Sequence, residues 1–291
     1  MTVVIKAPAK INLYLKILKK RNDGYHNLLS LFQKISLFDE IMIRSLTGKN
    51  RCFIKGEVPE EGNTIIKAVE AFRKVTGIDE SVGIQVKKRI PIGAGLGGGS
   101  SDAASVLRGL DYLFDTQLDK QVLFKMGLSI GSDVPFFLSA NAALVKGRGD
   151  RVKPLRPRTD YQVLLVCPDI SIMTKEAYSW WDEYCHKNDT GGLFHSLQFI
   201  NRFRKSMPEK WNFENSFSDV VLPRYPEIDE IIRNFYHVNA LYASISGSGS
   251  AVFGIFPEKK QLSGIVHNFH KKYHNVFITR PLDRMLEPVL E

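Results

Sequence analysis

The chain of 291 residues carries 40 Lys and Arg against 31 Asp and Glu, a net charge of +9, with 44% hydrophobic and 24% charged residues. That length supports a sizeable core in one or two domains, and the composition excludes a mainly disordered chain. A membrane span is excluded too, because the longest nearly uncharged stretch, VPFFLSANAALV, falls well short of the roughly 20 apolar residues a bilayer needs.

The opening MTVVIKAPAK lacks the charged head, apolar block and cleavage site of a secretory leader, so a cytoplasmic protein without an anchor is expected. Cys52, Cys167 and Cys185 are too few and too scattered for a disulfide framework or a CxxC metal site, and read as reduced thiols. The basic surplus is dispersed, with small knots such as Lys87-Lys88-Arg89. It favours anionic partners without choosing among nucleotide, nucleic acid and phosphorylated metabolite.

VVIKAPAKINLYLKIL predicts a pair of half-buried strands bent at Pro8, with Leu13, Leu15 and Ile17 on one face. ISLFDEIMIRSL and VGIQVKKRI predict further strands. Between them, NTIIKAVEAFRKVTG predicts an amphipathic helix started by Asn63 and stopped by Gly77. The next helix begins inside GGGSSDAASVLRGLDYLF, where Ala103, Val106, Leu107, Leu110, Leu113 and Phe114 share one face. The charged, proline-broken RGDRVKPLRPRTD is the expected boundary between domains 1–156 and 157–291, and its RGD reads as a charged turn. Beyond it the order is strand (YQVLLV), helices, strand pair (LYASIS, AVFGIF), helix and strand (NVFIT), a split βαβ arrangement. The fold class is α+β in two domains.

The strongest local signal is PIGAGLGGGSSDAAS, with five glycines between Gly93 and Gly99 followed at once by two serines and a helix. Uncovered amides at a helix start, reinforced by the helix dipole, make a phosphate site. Gly93, Gly95 and Gly98 satisfy GxGxxG, but the preceding strand is half charged and no acid ends a second strand about 20 residues on. Walker A fails as well, since no Lys follows the last glycine. The loop is of a third kind.

GAGLGGGSSDAAS resembles the phosphate loop of the superfamily named for galactokinase, homoserine kinase, mevalonate kinase and phosphomevalonate kinase. SISGSGSAVFGIF resembles that superfamily's third motif, and APAKINLYLKILKKRNDGYHNL resembles the opening of one family within it, the 4-diphosphocytidyl-2-C-methyl-D-erythritol kinases. DGYH at 23–26 separates that family from its relatives. The resemblance implies an N-terminal ribosomal-protein-S5-like domain with the ATP-binding glycine loop and a C-terminal ferredoxin-like split βαβ domain. It further implies ATP-dependent phosphorylation of a 2-hydroxyl in the non-mevalonate route to isoprenoid precursors.

By the same resemblance, Lys10 and Asp133 are the catalytic pair, although on pattern alone Lys10 reads as a solvated strand residue and Asp133 as a helix cap. Pro91, Ile92, Gly93, Ala94, Gly95, Leu96, Gly97, Gly98, Gly99, Ser100 and Ser101 would bind ATP. Asn63 and Lys88 match positions near the adenine, and each also reads as a helix cap or a surface charge. Tyr25 would stack on the cytosine and His26 bond its edge, with Tyr178 on the other face or simply on a helix surface; Asn12 and Thr174 match further substrate contacts. Ser216 stands where the family commonly has an acid. His195, His237, His267, His270 and His274 lack the spacing of a transition-metal site, so the metal is expected to be Mg²⁺ carried with ATP. A basic RNA-binding protein is the rival from another class; dispersed lysines and the lack of an RNA-reading motif argue against it.

Overall fold

The computed structural model describes residues 1–58, 62–187 and 196–291; His195 lies outside them. In chain order the elements are β1 (Thr2–Lys20), β2 (His26–Lys49), β3 (Cys52–Lys55), α1 (Thr64–Thr76), β4 (Glu80–Lys87), α2 (Gly98–Leu113), α3 (Lys120–Ile130), α4 (Val134–Ser139), β5 (Ala142–Gly147) and β6 (Arg151–Leu155). They continue with β7 (Tyr161–Cys167), α5 (Thr174–Lys187), α6 (Ser196–Lys205), α7 (Ser218–Val221), α8 (Pro226–His237), β8 (Tyr242–Ile245), β9 (Val252–Pro257), α9 (Ser263–His270), β10 (Asn275–Thr279) and β11 (Val289–Leu290).

β1 and β2 make one long antiparallel hairpin. The expected break at Pro8 does not occur: the register slips between Pro8 and Ala9 and again between Asn12 and Tyr14, so bulges absorb the proline and the strand runs on. The first sheet has the order β11-β1-β2-β4-β3, with β5 on β2 and β6 on β5. β6 takes up part of the stretch read as a boundary loop, and Pro154 is tolerated there because β6 pairs on one side only. The RGD tripeptide is a turn between β5 and β6, with Gly149 at φ 110°.

α1 forms as expected. Asn63 Oδ1 accepts from Ile65 N at 2.9 Å, and Gly77, at φ 74°, ends the helix in the left-handed region. α2 buries Ala103, Val106, Leu107, Leu110 and Leu113 against β1 and β2, while Phe114 is only partly buried where the helix ends.

The second sheet has the order β10-β7-β9-β8, antiparallel throughout, which is the ferredoxin-like arrangement that the split βαβ order demands. β1 joins the two halves. Val3, Ile5 and Ala7 lie in the core under α1 and α2, Ala9, Ile11 and Leu13 in a central core, and Leu15 and Ile17 in the core of the second sheet. The C-terminal segment returns to the first sheet, where Leu282 N donates to Lys34 O at 3.0 Å and β11 pairs with β1. No helix among the described residues is long and apolar enough to cross a membrane.

Candidate active site

The glycine loop is fixed from behind. Ala94 O accepts from Ala251 N at 3.1 Å, Leu96 O from Lys10 N at 2.9 Å, and Gly95 O from both Lys10 Nζ at 2.8 Å and Ser246 Oγ at 2.9 Å. Gly95 sits at φ 79°, and a Cβ there would lie 2.0 Å from Ser246 O, so only glycine lets the two glycine-rich turns close on each other. Gly97, at φ 72°, is the residue before α2, whose first intrahelical bond runs from Ser101 N to Gly97 O at 2.9 Å. The amides of Gly98, Gly99 and Ser100 therefore stand ahead of the helix ladder, where an anion is favoured. Residues 91–100, with Asn63, Lys88, Asp102 and Thr174, line a cleft of about 330 Å³. Ser101 turns away: its Oγ is fully buried on the far side of α2, in a small cavity with Lys34 and Arg108.

Lys10 projects from the middle of β1 beneath this loop. The residue is 4% exposed, and its ammonium donates to Asn12 Oδ1 at 2.6 Å and lies 3.9 Å from Asp133 Oδ2. Burial lowers its pKa from the ordinary lysine value, and the Asp133 charge works against that shift. Asp133 stands at the helix-cap position of α4, yet its carboxylate caps nothing. Pro135 has no N–H to cap, and Phe136 N already donates to the Asp133 carbonyl at 3.2 Å. The side chain is left to face Lys10. Asn12 is committed to the frame, since its Nδ2 donates to Ser30 Oγ at 3.0 Å and Ser246 Oγ donates to its Oδ1 at 3.4 Å.

Lys88 is no surface charge. Its side chain is 8% exposed and lies between Asp39 Oδ2 at 2.5 Å and Asp102 Oδ2 at 2.8 Å. Asp39 Oδ1 also accepts from Arg89 N and Ile90 N, which fixes the entry into the loop. Burial works to lower the Lys88 pKa, but the two carboxylates outweigh it and hold it above its ordinary value. Burial pushes Asp102 up to about 7, opposed by Lys88 and reinforced by Asp39. The Lys88 ammonium is thus held in its charged form between the two carboxylates.

The DGYH turn splits its two aromatic rings. Asp23 Oδ1 accepts from Tyr25 N at 3.2 Å, and Tyr25 is left 57% exposed, 5.6 Å below the Arg148 guanidinium. His26 begins β2 and is buried, with Nε2 2.7 Å from Asp182 Oδ1. Tyr178 stacks on the His26 ring at 5.0 Å and 11°, with Phe217 edge-on behind it. Burial pushes the Tyr178 hydroxyl up to about 12, with the Asp133 charge adding to the shift, so this aromatic group lies within electrostatic reach of the Lys10–Asp133 pair. Thr174 opens α5 with its Oγ1 3.2 Å from Ser248 Oγ, across the cleft from the loop.

The GHMP kinase N-terminal domain pattern matches residues 63–141 and the GHMP kinase C-terminal pattern matches 193–275. The chain is 39% identical over 98% of its length, and over 98% of the relative's, to a 4-diphosphocytidyl-2-C-methyl-D-erythritol kinase of Thermodesulfovibrio yellowstonii. The chain belongs to this kinase family.

A second 4-diphosphocytidyl-2-C-methyl-D-erythritol kinase, from Treponema pallidum, is 38% identical over 89% of the chain and 91% of its own length. A crystal structure of a 4-(cytidine 5'-diphospho)-2C-methyl-D-erythritol kinase superposes with a TM-score of 0.82 at 28% identity, covering 96% of this chain and 98% of the other. Homoserine kinase from Cytophaga hutchinsonii shares the fold, with a TM-score of 0.74 at 15% identity over 99% of this chain and 97% of its own. As a GHMP kinase the protein is an ATP-dependent enzyme with the two-domain α+β fold of that superfamily.

Several residues at the site carry no sequence signal. Asp39 is one acid in an ordinary strand and Asp182 one acid on a helix, so only the fold gives each its partner; Ser246 sits inside the SISGSGS motif, but nothing in the pattern says that it meets Gly95. Asp102 sits inside the glycine motif, but nothing in the pattern says that it meets Lys88. Ser216, at the position where the family commonly has an acid, uses its hydroxyl to accept from Ile17 N at 3.0 Å. Its neighbour Asn215 donates to Ile245 O and Gly247 O, so this stretch braces β1 against the second glycine turn.

Proposed function

We propose that this kinase transfers the γ-phosphoryl group of ATP to the 2-hydroxyl of 4-diphosphocytidyl-2-C-methyl-D-erythritol, in the non-mevalonate route to isoprenoid precursors. The observation that carries the proposal is the meeting of Lys10 Nζ and Asp133 Oδ2, 3.9 Å apart, beneath a glycine cradle in a chain of this family. The amides of Gly98, Gly99 and Ser100 would hold the phosphates. Lys10 would offset the charge that spreads over the phosphoryl group in a loose transition state. The bond to the γ-phosphorus forms from the 2-hydroxyl oxygen while the bond to the β-phosphate oxygen breaks, and the hydroxyl proton passes to Asp133.

Tyr25, His26 and Tyr178 would receive the cytosine, with Thr174 and the Asn12 frame beside the rest of the substrate. Among the described residues no group of three His, Cys, Asp or Glu side chains could hold a metal ion. Mg²⁺ would arrive on the ATP phosphates, as part of the nucleotide substrate. The enzyme would work in the cytoplasm on these two small molecules.

A coupled assay offering the diphosphocytidyl substrate, mevalonate and homoserine side by side tests the proposal. Turnover with the first alone is expected. Equal or faster turnover with either of the others overturns it.

A further inference from the structure

We infer that Asp182 is a positioning residue that sets the tautomer of His26 and thereby makes the site choose an amino-pyrimidine over an oxo-pyrimidine. The inference rests on the proposal that His26 meets the base edge. It begins from the contact between His26 Nε2 and Asp182 Oδ1, at 2.7 Å. A carboxylate only accepts hydrogen bonds, so the ring nitrogen facing it carries the proton. Asp182 stays a carboxylate because Lys20 and His26 outweigh its partial burial and hold its pKa below the ordinary value.

With the single proton of the imidazole on Nε2, Nδ1 presents a lone pair, the same coupling of one ring nitrogen to the partner of the other that orients metal-bound histidines. Nδ1 receives no hydrogen bond from any described residue and is not sealed from solvent. The ring plane is held by the parallel Tyr178 ring at 5.0 Å, and Lys20 anchors the far side of Asp182.

The consequence lies in the base. Cytosine carries an amino donor at the position where uracil carries a carbonyl. An acceptor Nδ1 therefore gains a hydrogen bond from cytosine and meets a second lone pair from uracil. A proton on Nδ1 reverses that preference. Asp182, on the opposite edge of the imidazole from the base, thus decides which base is accepted without touching it.

The test uses the full-length protein with nitrogen-15 histidine, whose long-range proton–nitrogen correlations report tautomers directly. Loss of one signal in His26→Ala identifies the residue. The wild-type ring is expected to be protonated on Nε2 alone, and to shift towards a mixture in Asp182→Asn and Asp182→Ala. In the same two variants the kcat/KM preference for the diphosphocytidyl substrate over its diphosphouridyl counterpart is expected to fall about tenfold, with KM for ATP unchanged.

A wild-type ring protonated on Nδ1, or on both nitrogens, overturns the inference. So does an unchanged preference in both Asp182 variants when His26→Ala loses it, a result that leaves base recognition by His26 standing. An unchanged preference in His26→Ala overturns that recognition, and the inference with it. Asp182→Asn keeps the volume but offers the ring an amide that donates as well as accepts, so it no longer selects one tautomer and carries the test if the alanine variant does not fold.

Discussion

Asp133 shows how a residue can look structural and be placed otherwise. Its sequence context is that of a helix cap, and the next turn removes that duty because Pro135 lacks an N–H and Phe136 N is already bonded. Asp133→Asn keeps the size and discards the negative charge, so turnover should fall at least about 100-fold with KM for ATP kept. Near wild-type turnover removes the base assignment. Tyr25→Ala should weaken substrate binding by about 1–3 kcal/mol and leave ATP binding alone. The exposed ring supports no core, so a calorimetric titration reads the stacking loss directly. Asp102 carries a pH prediction. Its folded pKa of about 7 exceeds the ordinary 3.8, so between those values the folded protein keeps a proton that the unfolded chain has released. Stability from this group is full below about pH 4 and is lost as the pH rises towards 7. Asp102→Asn has nothing to ionise and should gain on the wild type across that window, on the order of 2 kcal/mol. Urea denaturation at both ends of the window checks it, and a flat difference removes the claim. The meeting of Lys10 and Asp133 was legible through family motifs, whereas the Asp39–Lys88–Asp102 cluster was not, because its members come from β2, the turn after β4 and α2, which only folding brings together.

Among the elements, those with local rules were readable. α1 shows its cap, its apolar stripe and its stop within one run of sequence, and α2 shows a glycine start and a buried face. Sequence alone divides β1 into two strands, because Pro8 signals a break locally. Whether a proline breaks a strand depends on the partner, and β2 accommodates it with a register slip that no single segment can announce. β6 was hidden for a related reason, since an edge strand can be charged and carry a proline while keeping one ladder. The glycine loop permits a comparison within one motif. Gly93 and Gly95 both have positive φ, but a Cβ at Gly93 meets nothing within 4 Å, whereas one at Gly95 meets Ser246 O at 2.0 Å. Gly93→Ala should cost about 1–2 kcal/mol of stability from the backbone alone. Gly95→Ala should cost more and raise KM for ATP further, because the two glycine turns must part. Equal denaturation midpoints for the two variants exclude the close approach as the cause.

At the scale of the molecule, β1 is the shared member. Its alternating residues enter three successive cores, and Lys10 and Asn12 lie where the strand passes from one half to the other. The two halves should therefore unfold together. Trp180, Trp181 and Trp211 all lie in the second half, so tryptophan fluorescence reports that half while far-ultraviolet circular dichroism reports both. Coincident urea transitions are expected. A fluorescence change that clearly precedes or follows the loss of secondary structure excludes one cooperative unit. The same strand has a consequence during synthesis. Leu13 O accepts a hydrogen bond from Tyr242 Oη, 229 positions further along the chain. At ribosomal speeds that interval is roughly 10–45 s. Throughout it, Leu13, Leu15 and Ile17 wait beyond the exit tunnel without their final neighbours, so the apolar run that follows Lys10 is a stretch that a nascent-chain chaperone has long to hold.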